Sequence, residues 1–307
     1  MSALTSTDDA LLAFATEVGD TDPIAVEGGG TRWQAGGVLH ESARLISAPT
    51  GIVDYRPEEM VVTVRAGTPV AELHSVLAQS GQRSALPERG GTVGGAVAVG
   101  ENRLDLLGRG TVRDAVLQVR YVSAEGQIVT GGGPVVKNVS GFNLPKLIVG
   151  SLGTLGLIAE LVLRTNPTPP ASQWVSAADV DPVDVRDALL RPSAVLWDGT
   201  STWVLLEGHD ADLAHELQIL SAIGDFDAAE GPPELPPYRW SLSPTEAAAL
   251  DRKTVGDFVA CIGVGIVHAE TAPPPREVDP NLAVVAERTK TLFDPNGRLN
   301  PGRSPRT

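Results

Sequence analysis

The chain has 307 residues, with 24 Lys and Arg against 38 Asp and Glu and a formal net charge of −14. Its length exceeds one typical domain, so two are expected, and the acidic balance argues against nucleic acid or an anionic membrane surface as partner. A single cysteine, Cys261, excludes an intrachain disulfide and any cysteine-ligated iron–sulfur cluster built from this chain.

The opening MSALTSTDDALL has no basic region ahead of an apolar stretch, so no signal peptide is expected. No run of about eighteen apolar residues is present to span a bilayer, and a cytoplasmic location is the expectation. Residues 8–18 read as an amphipathic helix with Leu11, Leu12, Phe14, Ala15 and Val18 on or near one face. A short apolar run at 24–26 leads into Gly28-Gly29-Gly30-Thr31-Arg32. Residues 60–65 are predicted as a strand. Thr68 then caps a helix with Pro69 in its first turn, Leu73 and Leu77 inside and Gly81 at its end. Thr92-Val93-Gly94-Gly95-Ala96 opens a small-residue stretch closing at Gly100. Residues 115–123 and 127–130 make a hairpin around Ala124-Glu125-Gly126. The segment KNVSGFNLPKLIVGSLGTLGLI, residues 137–158, carries Gly150, Gly153 and Gly156 and runs into a strand at 157–163. Asn166-Pro167-Thr168-Pro169-Pro170 is a stiff exit, because proline fixes φ and donates no hydrogen bond.

Beyond the prolines a second pattern begins. Residues 174–178 read as a strand and 183–190 as a short helix. Strands at 194–197 and 202–207 are joined around Asp198-Gly199. A helix from Asp210 carries Leu213, Leu217 and Leu220 and is closed by Gly224. This β-α-β-β-α order suggests a split-βαβ, ferredoxin-like half-sheet. The proline-rich residues 231–237 read as a surface loop. Cys261 lies in the strand-like FVACIGVGIVH and is expected to pack as a small apolar residue. A helix at 279–293 and the DPNGRLNPG tail are expected to return to the first domain.

The chemistry is carried by the three glycine clusters. Neither G-x-G-x-x-G nor the Gly-Lys pair of a P-loop occurs. Successive N–H groups in glycine-rich turns form concavities that hold phosphate oxygens. A threonine hydroxyl adds a donor, and Arg32 is placed to give a charge-assisted bond to the same anion. Any one cluster alone reads as a surface loop or a tightly packed turn. Three in order, each beside a predicted strand, favour a dinucleotide held largely by main chain.

From about residue 28 to 170 these pieces resemble the FAD-binding domain of the vanillyl-alcohol oxidase, or PCMH, type. The matching segments are GGGTR, GIVDYRPEEMVVTVRAGTPVAEL at 51–73, TVGGAVA, GRGTVRDAVL at 108–117, and the 137–158 segment. The tail LFDPNGRLNPGR at 292–303 is similar to the glycolate oxidase branch, and within it to the FAD-binding accessory, or E, subunit. The resemblance implies an α+β fold with a two-lobed PCMH-type FAD-binding domain at 1–167, a ferredoxin-like α+β cap domain at 168–278, and a C-terminal helix and tail at 279–307 returning to the FAD domain. By the same resemblance Gly28, Gly29, Gly30, Thr31 and Arg32 cradle the pyrophosphate. Thr92, Val93, Gly94, Gly95 and Ala96 line the ribityl and isoalloxazine region. Gly150, Gly153, Gly156, Leu157 and Ile158 press main chain against the adenine end. Arg113 and Asp114 are further cofactor candidates; read without the resemblance, they are an exposed salt bridge at the start of the hairpin.

The chain also departs from that family. Many relatives carry a flavin-linked histidine where Thr31 stands, so the FAD is expected to be non-covalent. Phe142-Asn143 replaces a usual Tyr-Asp. In catalytic α-hydroxy-acid dehydrogenases of the family a cap motif resembling G-H-x-G-D-G-N-x-H supplies ligands and a base. Here ACIGVGIVH keeps Gly263, Gly265 and His268 but has Cys261, Val264 and Ile266 at the ligand positions. His268 is therefore the one candidate catalytic base. His209 and His215, six apart, read as solvated, His40 and His74 as surface residues, and no metal site is expected. The resemblance implies an FAD-binding subunit of a glycolate oxidase-like complex. It would assist oxidation of a small 2-hydroxy acid beside a catalytic flavoprotein subunit and an iron–sulfur subunit. The rival readings are an independent FAD-dependent oxidase or dehydrogenase, and a structural subunit whose flavin site no longer binds.

Overall fold

A computed structural model describes residues 5–133, 143–273 and 279–305. They fall into two compact units. One gathers the chain up to Arg103, Thr111–Thr168 and the segment from 279 onward; the other gathers Leu104–Gly110 and residues 169–273. The assignment of Leu104–Gly110 differs from the sequence expectation, which kept it in the first domain. Its physical reason lies inside the second unit. Leu104 and Leu106 pack on the cluster around Ala194, Leu196 and Cys261, and a Cβ on Gly108 would meet Ser193 Oγ at 2.3 Å.

The first unit is built on five antiparallel strands in the order Ile52–Arg56, Val61–Arg65, Leu157–Arg164, Val116–Val122, Ile128–Gly132. Leu157–Arg164 lies in the middle, and all its residues but the last are buried, as a strand covered on both faces requires. Its one buried charge, Glu160, stands in register with Arg65 on one side and Arg120 on the other. The carboxylate lies 3.3 Å from Arg65 Nε and 3.4 Å from Arg120 Nη1, which compensates its burial. A second, parallel pair is made by Ile24–Val26 and Arg44–Ile46, and the C-terminal tail adds a bridge from Leu299 to Ile24. Arg298 fastens that tail by donating to the carbonyls of Val18, Gly19, Asp22 and Ala124.

Two local expectations change. The helix after the second strand spans Val70–Ala78, and Pro69, not Thr68, stands at its N-cap without a side-chain bond. Thr68 is fully buried and exchanges hydrogen bonds with the backbone of Gly51 instead. The Thr92–Gly100 stretch, expected as a glycine turn, is a helix, Val93–Val99, with Thr92 accepting from Gly95 N at 3.2 Å.

The second unit holds a seven-stranded antiparallel sheet in the order Asp227–Ala229, Ala171–Ala178, Ser201–Gly208, Ala194–Trp197, Phe258–Cys261, Ile266–Ala269, Tyr238–Ser241. The first four strands, numbered along the chain, stand in the order 4-1-3-2 with helices Pro182–Ala188 and Asp210–Ser221 between them. This is the ferredoxin-like arrangement expected from the sequence, extended by three further strands. Cys261 is 2% exposed, and burial pushes its thiol up to about 12, so it is a core residue and not a nucleophile.

Candidate functional site

The loops that follow the first unit's strands converge on a cavity of about 400 Å³. The turn after Ile24–Val26 supplies Gly28 to Trp33, and the loop after Arg44–Ile46 supplies Ser47, Ala48 and Thr50. Ala66 and Gly67 follow Val61–Arg65, and Gly91, Thr92, Gly94 and Gly95 come from the start of the Val93–Val99 helix. Leu152, Gly153, Leu157 and Ile158 close one wall, and Asn300 and Arg303 arrive from the tail. A volume of this size with an apolar lining and a few convergent polar groups is that of a small-molecule site.

The Gly28–Arg32 turn is the most polar part of the wall. Its carbonyls close the turn, Trp33 N donating to Gly30 O at 3.2 Å and Ala35 N to Arg32 O at 3.1 Å. The amides of Gly28, Gly29, Gly30, Thr31 and Arg32 donate to no acceptor among the described residues. Five successive unpaired donors at the rim of a cavity form an anion nest. Gly30 takes φ +69° to allow it. Gly29 serves another purpose: a Cβ there would lie 2.7 Å from Gly91 Cα, so the glycine lets two cavity loops touch backbone to backbone.

Arg32 lines the cavity as expected, but most of its donors are taken within the protein. Its side chain is 7% exposed; Nε meets Glu101 Oε2 at 2.5 Å and Nη1 donates to Gly90 O at 2.9 Å. The guanidinium ties the nest to the Gly90–Gly91 loop, and its Nη2 is buried without a partner. Glu101 also takes Arg89 at 2.8 Å. Burial pushes the Glu101 carboxyl up, but Arg32 and Arg89 outweigh it and hold the group below the usual glutamate range.

Of the remaining candidates, Gly28, Gly29, Gly30, Thr31, Thr92, Gly94, Gly95, Gly153, Leu157 and Ile158 share this cavity. Val93 and Ala96 do not line it; both are fully buried on the inner face of the helix that replaced the expected turn. Gly156 packs on Tyr121, whose ring carbon a Cβ would meet at 2.2 Å, and Gly150 faces Val99 O; neither lines the cavity. Arg113 and Asp114 are exposed and bound to helix Leu144–Ile148, Asp114 to Lys146 Nζ at 2.7 Å and Arg113 Nε to Lys146 O at 2.8 Å. They serve neither the cavity nor each other. The Phe142 substitution lies outside the described residues, while Asn143 accepts from Lys146 N and caps that helix.

His268 stands on Ile266–Ala269 in the second unit, in register with Val259 and Arg239. Gly263 and Gly265, which suggested the cap motif, take φ +78° and +86° in the turn between two hairpin strands. Hairpin geometry therefore accounts for both. Among the described residues no three His, Cys, Asp or Glu side chains converge. Sequence reasoning missed Trp33, Glu101 and Arg303. Arg303 stood inside the quoted tail motif, but nothing local marks it as a cavity residue.

The glycine-walled nest and cavity fit an FAD: backbone donors for a pyrophosphate beside Val26, Ala98 and Leu157 for a flat ring. Residues 4–132 match the family model described as FAD binding domain. The chain is 29% identical to glycolate oxidase subunit GlcE of Escherichia coli over 76% of its own length and 72% of that protein. It is 33% identical to a D-lactate dehydrogenase of Archaeoglobus fulgidus over 52% of its length, spanning 36% of that protein. In fold it superposes on an alkyldihydroxyacetonephosphate synthase with TM-score 0.68 at 15% identity, over 95% of this chain and 73% of that one. It superposes on p-cresol methylhydroxylase with TM-score 0.52 at 15% identity, over 67% and 53%. Residues 4–132 thus match an FAD binding domain, and the chain is, over most of its length, similar to the glycolate oxidase subunit GlcE.

Proposed function

We propose that the chain is an FAD-dependent oxidoreductase subunit acting on CH–OH donors, holding its FAD non-covalently within a glycolate oxidase-like complex. The observation that carries this reading is the run of five unpaired amides, Gly28 to Arg32, at the rim of a cavity lying largely within the FAD-domain match. Bound FAD supplies the two-electron acceptor for an alcohol carbon. The chain's own residues do the holding. The nest amides bind the pyrophosphate, Glu101 keeps the nest in place through Arg32, and Leu152, Leu157 and Ile158 keep water from the ring.

Non-covalent binding is supported by the lining, which contains no histidine, cysteine or tyrosine among the described residues. Thr31, at the expected linkage position, accepts a hydrogen bond from Arg32 Nη1 at 2.9 Å. An accessory role is supported by the second unit, where Cys261 and Ile266 are buried apolar residues at positions that would need ligands. The substrate is a small 2-hydroxy acid, and a catalytic flavoprotein and an iron–sulfur subunit complete the electron path, since Cys261 is the sole cysteine here. Among the described residues no helix is long and apolar enough to cross a membrane.

The test is single turnover: oxidised holo-protein is mixed anaerobically with excess glycolate or D-lactate while flavin absorbance is followed. The isolated chain is expected to stay oxidised and to turn over when candidate partner subunits are added. Rapid bleaching by the isolated chain, lost in His268→Ala, would instead make it an independent enzyme.

A further inference from the structure

The cavity needs a cation. FAD carries a diphosphate and the chain carries a net charge of −14, so the long-range field repels the ligand and a local positive group must offset it. Most of Arg32 is committed within the protein, its Nε to Glu101, which Arg89 shares, and its Nη1 to Gly90 O and Thr31 Oγ1, which leaves Nη2 alone for a ligand. A different arginine reaches the same cavity from the far end of the chain.

Arg303 lines the cavity beside the nest. Its guanidinium carbon lies 5.0 Å from the ring centroid of Trp33, the residue that immediately follows Arg32. Nη1 donates to Ala35 O at 2.9 Å and to Gly37 O. Among the described residues Nε and Nη2 donate to no protein atom and no carboxylate pairs with the group. The guanidinium is thus oriented by an aromatic face and two carbonyls, has no carboxylate partner among the described residues, and is left with donors to spare. The tail that delivers it is anchored on both sides: before it, Arg298 is held by four backbone carbonyls and Asn300 Nδ2 donates to Leu152 O at 2.9 Å, and after it Ser304 N donates to Gly36 O at 2.8 Å.

We propose that Arg303, stacked on Trp33, is the cationic contact for the cofactor's pyrophosphate, while Arg32 positions the nest. This deepens the FAD reading and rests on it. Charge-assisted bonds from a preoriented arginine fork are stronger than neutral ones and depend on salt. The C-terminal tail then acts as part of the binding site and not merely as a fastening of the fold.

The experiment titrates FAD onto apo-protein at several salt concentrations, comparing wild type, Arg303→Ala and Arg303→Lys. Expected is about 10- to 100-fold weaker binding for Arg303→Ala, with a flatter dependence of Kd on salt. Arg303→Lys should keep the wild-type salt dependence and part of the affinity. Wild-type affinity in Arg303→Ala overturns the proposal. So does a loss with unchanged salt dependence, or an equal loss in both variants, since either would mean that Arg303 only braces Ala35 and Gly37. Failure of wild type itself to bind FAD refutes the cofactor reading, a different outcome.

Discussion

Gly29→Ala isolates the packing between the two cavity loops. The added Cβ would lie 2.7 Å from Gly91 Cα, against about 3.5–4.0 Å for ordinary carbon contact, so one loop must retreat by about 1 Å. Gly91 is poorly placed to move: its carbonyl accepts from Val70 N at 2.9 Å, and Gly90 O is held by Arg32. The Gly28–Arg32 turn moves instead. A shift of about 1 Å takes a hydrogen bond beyond its useful range. Losing one or two charge-assisted bonds at about 1.5–3 kcal/mol each weakens FAD binding by about tenfold at the least and by more than about a hundredfold if two are lost. Gly30→Ala is the control. Its Cβ would meet nothing within 4 Å, but φ is +69°, so the cost is about 1–2 kcal/mol of backbone strain with the loops still in contact. The assay is FAD titration by flavin fluorescence, with far-UV circular dichroism to check the fold. Wild-type affinity in Gly29→Ala, or a larger loss in Gly30→Ala, would refute the reasoning.

Acid precipitation of the holo-protein should leave the flavin in the supernatant; flavin remaining on the denatured chain would contradict non-covalent binding. Glu101→Gln should destabilise the protein at neutral pH by about 3 kcal/mol, the low end for breaking a buried pair because glutamine can still accept one bond. The Glu101 carboxyl is held below its ordinary range, so its contribution is present above that range and lost as pH falls through the folded-state value. The stability gap between wild type and Glu101→Gln, read from urea midpoints, should therefore narrow on acidification; a gap that widens would show that the charge is not the source. The isolated holo-protein should not be reduced by glycolate or D-lactate within seconds under anaerobic conditions.

Element type was legible where periodicity and turn chemistry agreed. The 116–122 and 128–132 hairpin, the buried 157–164 strand and the ferredoxin-like order of the second unit all appear near their expected places. The Thr92–Gly100 stretch failed because glycine density speaks for a turn by propensity. Here tertiary packing overrides it: a Cβ on Gly94 would meet Ala66 Cβ at 2.7 Å, so the glycine lets a helix lie against the sheet. Thr68 failed as a cap for a similar reason, its hydroxyl being drawn to Gly51.

The sequence by itself pointed to a dinucleotide held largely by main chain, because three glycine-rich segments in order, each beside a predicted strand, offer backbone amides through local chemistry. Only the tertiary structure decided which charged side chains reach that cavity and what else holds them. Arg32 adjoins the nest in sequence yet is held by Glu101, Gly90 and Thr31, and Arg303 reaches the same cavity because a tail pinned by Arg298 returns it there. Local propensity encodes backbone shape. Side-chain charge acts through space, so its role depends on neighbours that folding supplies from elsewhere in the chain.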